Sequence, residues 1–180
     1  MKILQKCLVG TLLMLLISAT CSKLKAATSQ TDSIKVYVFL HESCRISQYY
    51  TPALKQLHEK YASDHLHFVG LFPNFSSKPP KMEAFKQKYA LPFVMKTDYY
   101  HTQKEKLGAS VTPELVVFDE SNNQIRYRGR IDDSYVRVGR RKQVTTTSEL
   151  RDVLQAIVTE QPITVENTTA IGCFIGKSSL

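Results

Sequence analysis

Two cysteines, Cys44 and Cys173, are the residues of this chain best suited to covalent chemistry. Cys44 follows the apolar run KVYVFL and precedes a segment with helical spacing, so we expect it at a helix N-terminus. Unpaired backbone N–H groups and the helix dipole favour a thiolate there, and Arg45 adds a neighbouring positive charge. A lowered pKa would make Cys44 a better metal ligand and, within limits, a faster nucleophile. Cys44 is therefore a candidate catalytic thiol, with a plain buried cysteine as the alternative.

A partner for Cys44 is missing from the usual place. In a Cys-x-x-Cys site the second cysteine stands three residues on, where this chain has Ser47. Cys173 lies on the C-terminal tail, residues 161–180, whose stretch TVENTTAIG is too polar and β-rich to continue a helix. Cys173 lies twelve residues beyond Gln161, and this length of chain can span ~40 Å, whereas a domain of this size has a radius of gyration near ~15 Å. We hypothesise that Cys173 returns to Cys44, as a resolving thiol or a permanent staple; the competing hypothesis is a free cysteine that pairs with another protein.

The N-terminal residues 1–26 have the layout of a secretory signal peptide. Two lysines precede an apolar run at residues 7–17, and small and polar residues follow it. The run is shorter than the ~20 apolar residues that span a membrane. Cleavage near Ala26 would release a soluble protein, whereas cleavage before Cys21 would leave a lipid-modified cysteine; an uncleaved anchor is a third option. We expect an exported protein of the periplasm or cell envelope, with membrane contact only through lipid at Cys21.

Export changes both the cysteine count and the charge. Of four cysteines, only Cys44 and Cys173 would remain unmodified in the mature protein, which indicates one disulfide or one redox pair in an oxidising compartment. Removing the four lysines of residues 1–26 leaves 20 basic and 16 acidic residues, a net charge of +4 instead of +8. The remaining basic excess lies in residues 126–142, where two aspartates interrupt it. This pattern predicts a solvated strand edge and loop, and no nucleic-acid partner.

The body of the chain, residues 33–160, has the length of one domain. Pro52 falls in the first predicted helix, where it fits only in the first turn or at a kink. Apolar runs and helical periodicities predict the following order: strand 34–40, helix 47–62, strand 66–72, helix 78–89, short strand 93–96, short helix 101–107, hairpin strands 115–119 and 124–129, and helix 147–158. Early alternation of strands and helices indicates a parallel pair, and the hairpin adds antiparallel strands at one edge. The predicted fold is α/β, with a central mixed sheet, a C-terminal antiparallel hairpin and flanking helices.

This order and several motifs resemble the redoxin-type proteins of the thioredoxin fold. The group includes the alkyl hydroperoxide reductase and thiol-specific antioxidant superfamily and exported thiol-disulfide oxidoreductases. The motifs are Cys44 between the first strand and first helix, VTPE at 111–114 before the hairpin, and YRGRIDDSY at 127–135. A subgroup of exported redoxins has Cys-Pro-Ile-Ser and a Gly-Cys-x-Ile tail, which CRIS at 44–47 and GCFI at 172–175 resemble. The match covers residues 34–175.

The resemblance implies an exported thiol-disulfide oxidoreductase. Cys44 would attack a disulfide or oxidised thiol, and Cys173 would resolve the mixed disulfide. The proline before the hairpin strand is typically cis in this fold, and the backbone beside it pairs with an extended substrate, so Thr112 and Pro113 would position the partner. The partners would be protein thiols or disulfides of the cell envelope. The alternative is a non-catalytic binding or assembly module that a Cys44–Cys173 disulfide staples.

Peroxidase and metal chemistry are not expected. Peroxiredoxin peroxidases place Thr three residues and Pro seven residues before the reactive cysteine, where this chain has His41 and Tyr37. Copper carriers of this fold usually offer two cysteines in one loop and a distant histidine, but the loop of Cys44 has one cysteine. We therefore expect no metal and no cofactor. Four other histidines are expected to be solvated: His58, His65, His67 and His101.

Overall fold

Five strands form the central sheet of the computed structural model, which describes residues 33–177. The elements in chain order are β1 (Ile34–Phe39), α1 (Arg45–Tyr61), β2 (Leu66–Phe72), α2 (Pro79–Tyr89), β3 (Val94–Thr97), α3 (Thr102–Leu107), β4 (Val111–Thr112), β5 (Glu114–Asp119), β6 (Gln124–Gly129), β7 (Tyr135–Arg137), β8 (Arg140–Arg141), α4 (Glu149–Val158) and β9 (Cys173–Phe174). The strand order in the large sheet is β3-β2-β1-β5-β6. The predicted elements are all present, and their bounds differ from the predicted ones by a few residues.

The sheet is mixed, as the sequence predicts. Strand β1 pairs in parallel with β2, and β2 pairs in parallel with β3, because helices connect these strands. Strands β5 and β6 form the expected hairpin, and β5 pairs antiparallel with β1, which places Val38 opposite Leu115. β-branched and aromatic residues favour strands buried on both faces, and every residue of β5 is buried. The site described below lies where β1 ends and β5 begins.

Helix α1 starts two residues earlier than predicted, at Arg45, with Cys44 in the N-cap position. Tyr50, Leu54 and Tyr61 are buried along one face. Pro52 lies in the helix interior and supplies no N–H to the carbonyl four residues before it. The hydroxyl of Thr51 donates to that carbonyl, the one of Gln48, at 2.8 Å. This hydrogen bond satisfies the carbonyl that Pro52 leaves free.

Apolar side chains pack on both faces of the sheet. The larger cluster contains Cys44 together with Leu54 and with Leu150 and Leu154 of α4. The smaller cluster contains Phe39, Leu71 and Leu107, and Ile175 of the tail is buried in it. The tail therefore contributes to the core.

Four short strands were not predicted. Strands β4 and β9 form a two-stranded sheet, and β7 and β8 form an exposed hairpin that carries part of the basic stretch. The tail also runs beside β6 in parallel, where the Arg128 N–H donates to Glu166 O at 2.9 Å and the Thr168 N–H donates to Arg128 O at 3.0 Å. Residues 161–177 thus pack in the same compact unit as the sheet.

The predicted signal peptide, with the possible lipid site at Cys21, lies outside the described residues and stays a prediction. Within residues 33–177, no helix has the length and apolar character needed to cross a bilayer.

Candidate functional site

Cys44 lies at the junction between β1 and α1. Its backbone N–H donates to His41 O at 3.0 Å, and its carbonyl accepts the N–H of Gln48 at 2.9 Å, which starts the helix. Its side chain is 2% exposed, and its thiol donates to the carbonyl oxygen of Thr112 at 3.1 Å. The thiol is thus held against the backbone of β4.

Cys173 pairs with the same stretch of backbone. Strand β9 runs antiparallel to β4, with Cys173 opposite Thr112 and Phe174 opposite Val111. The Thr112 hydroxyl donates to Cys173 O at 3.4 Å, and the Ile175 N–H donates to Ser110 O at 3.1 Å. The tail therefore returns to the residue that Cys44 contacts, Thr112, and both cysteines are free thiols.

The predicted positioning residues complete the site. The peptide bond between Thr112 and Pro113 is cis, and Thr112 is fully buried. Thr112 is the residue that contacts both cysteines: its carbonyl accepts from Cys44, and its hydroxyl donates to the backbone of Cys173. The structure thus brings together all four residues that the sequence singled out, from three separate parts of the chain.

The hydrogen bonds around Cys44 lower the pKa of its thiol. Burial raises the pKa of the Cys44 thiol, but donation from Cys173, from the backbone N–H groups of Ser47 and Ile46 and from the Ser47 hydroxyl outweighs it. The net effect is a pKa below the usual value, even though the Thr112 carbonyl stabilises the protonated form. Burial and the neighbouring charge of Cys44 raise the pKa of Cys173. One thiol is therefore poised to ionise while the other keeps its proton.

Gly172 allows the tail to come this close. A Cβ atom at this position would lie 2.3 Å from the oxygen and 2.6 Å from the carbon of the Thr112 carbonyl. Those atoms belong to the backbone beside the cis-proline and cannot rotate away as a flexible side chain could. The glycine of the GCFI motif is required at this position because of this contact.

A small cleft opens beside Pro113, and sequence reasoning did not assign its other residues to the site. It is lined by Pro113, Tyr50, Asp132, Tyr135 and Ile171 among others. The Tyr50 hydroxyl donates to Asp132 Oδ1 at 2.6 Å, and burial together with this carboxylate raises the pKa of Tyr50. Burial also raises the pKa of Tyr135, and the charge of Cys44 raises it further. The signal for this cleft was the YRGRIDDSY motif, which ends at Tyr135.

One of the histidine expectations is wrong. His101 is 3% exposed, and its Nε2 lies 3.2 Å from Pro73 O, at hydrogen-bonding distance. His58 is partly covered as well, since its ring packs edge-on against Phe68. His41 lies in the loop before Cys44, with Nε2 3.2 Å from Ser76 Oγ. In the part of the chain that the structure describes, no three metal-ligating side chains converge.

Comparison with known proteins shows the fold. No family model matches the sequence, and no curated protein matches it either. An uncharacterized conserved protein from Geobacillus kaustophilus is similar at 23% identity over 83% of this chain and 79% of that chain, with a TM-score of 0.72. A hypothetical protein from Sinorhizobium meliloti 1021 is similar at 23% identity over 84% of both chains, with a TM-score of 0.71.

A secreted disulfide oxidoreductase of Mycobacterium tuberculosis is also similar, at 17% identity over 69% of this chain and 81% of that chain, with a TM-score of 0.50. At these identities the likeness concerns the fold. The chain has a thioredoxin-like fold, and the sequence-based prediction of the fold is confirmed.

Proposed function

We propose that this protein is a thiol-disulfide oxidoreductase in which Cys44 is the attacking thiol and Cys173 the resolving thiol. The observation that carries the proposal is that Cys44 donates to the Thr112 carbonyl while Cys173 pairs with Thr112 across β4 and β9, beside the cis-proline. The lowered pKa of Cys44 and the raised pKa of Cys173 agree with it. A buried cysteine with only a structural role needs no donors to its thiolate. The fold, which the secreted disulfide oxidoreductase of Mycobacterium tuberculosis shares, is compatible with this chemistry.

The reaction would proceed in two balanced steps. The Cys44 thiolate attacks one sulfur of a partner disulfide, so that a mixed disulfide forms and the other partner sulfur leaves as a thiolate. Cys173 then loses its proton and attacks the Cys44 sulfur, which forms the Cys44–Cys173 disulfide and releases the second partner thiolate. Two electrons pass from the two thiols to the partner; in the reverse direction, the oxidised protein oxidises a partner dithiol.

The effect of the Cys44 charge on the pKa of Cys173 sets the order of these two steps. The charge of Cys44 contributes to the raised pKa of Cys173. Once Cys44 is bound in a mixed disulfide it carries no charge, so Cys173 ionises more readily at that stage. The resolving thiol is thus activated by the first step.

Strand β9 occupies the backbone edge of Thr112, where the resemblance to redoxins places an extended substrate. A partner segment that pairs with Thr112 would have to replace Cys173 and Phe174 there. A pairing of only two residues, such as the one between β4 and β9, opens more readily than the pairings of the central sheet. We infer that β9 moves aside during the first step and returns with Cys173 for the second.

A stapled binding module remains the second candidate, because Cys44 is almost fully covered in this structure. In that case the Cys44–Cys173 disulfide would hold the tail on the domain and would not exchange. Both candidates share the proposed setting, an exported protein whose partners are thiols or disulfides of the cell envelope. Peroxide reduction forms no part of either.

The proposal can be tested with a peptide whose single cysteine forms a mixed disulfide with thionitrobenzoate. The protein is the full chain with Cys7→Ser and Cys21→Ser. Reduced protein should release one thionitrobenzoate per chain and end with a Cys44–Cys173 disulfide. Cys173→Ala should stop at a peptide adduct on Cys44, visible by mass spectrometry, and Cys44→Ala should release no more than the background. An adduct on Cys173 in the otherwise unchanged protein, or release that Cys44→Ala does not slow, would contradict the assignment.

A further inference from the structure

A basic and aromatic surface lies beside Cys44, which directly precedes its first residue. We call it the arginine face, and it consists of Arg45, Tyr49, Tyr135, Arg137, Arg140 and Arg141. Arg45 and Tyr49 are one turn apart on α1, and the Arg141 guanidinium lies 4.5 Å from the centre of the Tyr49 ring. The Tyr49 and Tyr135 rings are 5.3 Å apart, and Tyr135 pairs with Arg141 across the β7–β8 hairpin. These contacts make the surface continuous.

The arginines of this face have no acidic partners. The sequence has eight arginines, all within residues 33–177. Four of them pair with carboxylates: Arg126 with Asp119, Arg128 with Glu114, Arg130 with Glu149, and Arg151 with Asp152. The other four are Arg45, Arg137, Arg140 and Arg141, and no ion pair among the described residues includes any of them. All four unpaired arginines therefore belong to one face.

The two acids nearest to the β7–β8 hairpin in sequence, Asp132 and Asp133, form no ion pair with these arginines among the described residues. Asp133 binds Lys142, Thr146 and the Thr147 N–H, and these bonds hold its pKa well below the usual range. Asp132 Oδ1 accepts from the Tyr50 hydroxyl and from the N–H of Ser134. The positive charge on the face thus stays available to a ligand.

The face adjoins the site of the proposed chemistry. Arg45 directly follows Cys44, and Tyr135 lines the cleft beside Pro113. Exposed Val136 and Val138 add apolar area on the same hairpin. Arginine and aromatic side chains are enriched at the centres of protein interfaces. A segment bound here would place a cysteine of its own close to Cys44.

We propose that the arginine face binds an acidic segment of the redox partner, next to the cysteine or disulfide that Cys44 attacks. The inference rests on the proposed function and names its partner class. Four unpaired guanidinium groups attract carboxylates, and such complementarity speeds encounter and selects among partners. Apolar contact with the hairpin then holds the segment in place.

Two matched peptides test this proposal. Each carries one cysteine in a mixed disulfide with thionitrobenzoate; one has four acidic residues around it, and the other has the corresponding amides. With the full chain carrying Cys7→Ser and Cys21→Ser, we expect thionitrobenzoate release from the acidic peptide to be about five- to tenfold faster at low ionic strength. This preference should shrink near ~1 M salt, where the screening length is ~3 Å.

Substitutions locate the effect on the arginine face. Arg137→Gln with Arg140→Gln should reduce the acidic-to-amide rate ratio to about twofold or less. Lys81→Gln with Lys96→Gln removes the same charge from two exposed lysines outside the arginine face and should leave the ratio unchanged. Equal rates for the two peptides, or an equal loss in the lysine control, would overturn the proposal. Absence of Cys44-dependent release from both peptides would overturn the thiol-disulfide function itself, and this inference with it.

Discussion

At the scale of single residues, the chemistry of Cys44 depends on the donors around its sulfur. A helix N-terminus alone gives backbone N–H groups, here those of Ile46 and Ser47. The Cys173 thiol adds a donor from the far end of the chain, and it is the strongest of the contacts that lower the pKa of Cys44. The pKa of the first cysteine is therefore coupled to the presence of the second.

Removal of the Cys173 donor should make Cys44 less reactive. In Cys173→Ala the pKa of Cys44 should rise, because a hydrogen bond to the thiolate is lost, and alkylation of Cys44 at pH 7 should slow by about three- to tenfold. Cys173→Ser keeps a hydroxyl donor and should retain most of the rate. The measurement is the pH dependence of iodoacetamide labelling at Cys44, read by mass spectrometry. A pH midpoint for Cys44 that is the same in the alanine variant and in the unaltered protein would contradict the coupling.

The sequence predicts only part of this site. The position of Cys44 follows from local apolar patterning, and the cis bond before Pro113 follows from the resemblance. The Thr112 carbonyl and the Cys173 thiol reach Cys44 from 68 and 129 residues away. Local patterning carries no information on which surface point a tail contacts, so the return of Cys173 could only be a hypothesis.

At the scale of elements, β9 is the part of the site with the least support. It has two residues that pair with β4, and two further hydrogen bonds support it, from the Thr112 hydroxyl to Cys173 O and from the Ile175 N–H to Ser110 O. Ile175 anchors it in the smaller apolar cluster. Gly172 lets it approach Thr112. The strand is therefore held chiefly by one side chain and one close backbone contact.

A side chain at position 172 should detach β9. In Gly172→Ala the Cβ would collide with the Thr112 carbonyl, so the Ile175 amide should exchange on the order of tenfold faster, and the Cys44–Cys173 bond should form more slowly. Gly176→Ala is the matched control, because its Cβ would have no neighbour closer than 3.7 Å. Hydrogen exchange and the rate of disulfide formation measure the effect. Equal protection of Ile175 in the two variants would show that the close contact does not hold the strand.

The short strands also show where sequence patterns fail. Strands β1, β2 and β5 have long apolar runs and were predicted almost to the residue. Strands β7, β8 and β9 have two or three residues each, and their exposure and polarity give no periodic signal. Their pairing depends on distant partners or a tight turn, which single-sequence periodicity does not report.

At the scale of the whole molecule, an ion pair connects the end of the β5–β6 hairpin to α4. The Arg130 guanidinium donates to Glu149 Oε1, which links the residue after β6 to the first turn of α4. Burial raises the pKa of Glu149, but the bonds from Arg130 and the Thr147 hydroxyl outweigh it, so the net pKa is lowered. This pair supports the domain on which the site is built.

Loss of the Glu149 charge should destabilise the fold. Glu149→Gln should lower the free energy of unfolding by about 1–3 kcal/mol at pH 7. Because the folded pKa is depressed, the stabilisation is present above the unfolded value near ~4.3 and is lost as the pH falls through the folded value. The difference between the two proteins in urea unfolding should therefore shrink towards pH ~3. Asp152→Asn breaks an exposed pair in the same helix and should cost at most about 0.5 kcal/mol; equal effects of the two substitutions would contradict this role of Glu149.

The most direct test of the proposed function is a redox titration of the full chain with Cys7→Ser and Cys21→Ser. The protein is equilibrated in thiol-disulfide buffers of graded potential, its free thiols are alkylated, and the product is mapped by mass spectrometry. We expect one Cys44–Cys173 disulfide that opens between roughly −120 and −270 mV, the range of thioredoxin-like oxidoreductases. Failure of this bond to form in oxidising buffer, or a bond that stays closed below about −300 mV as structural disulfides do, would contradict a redox role for the pair.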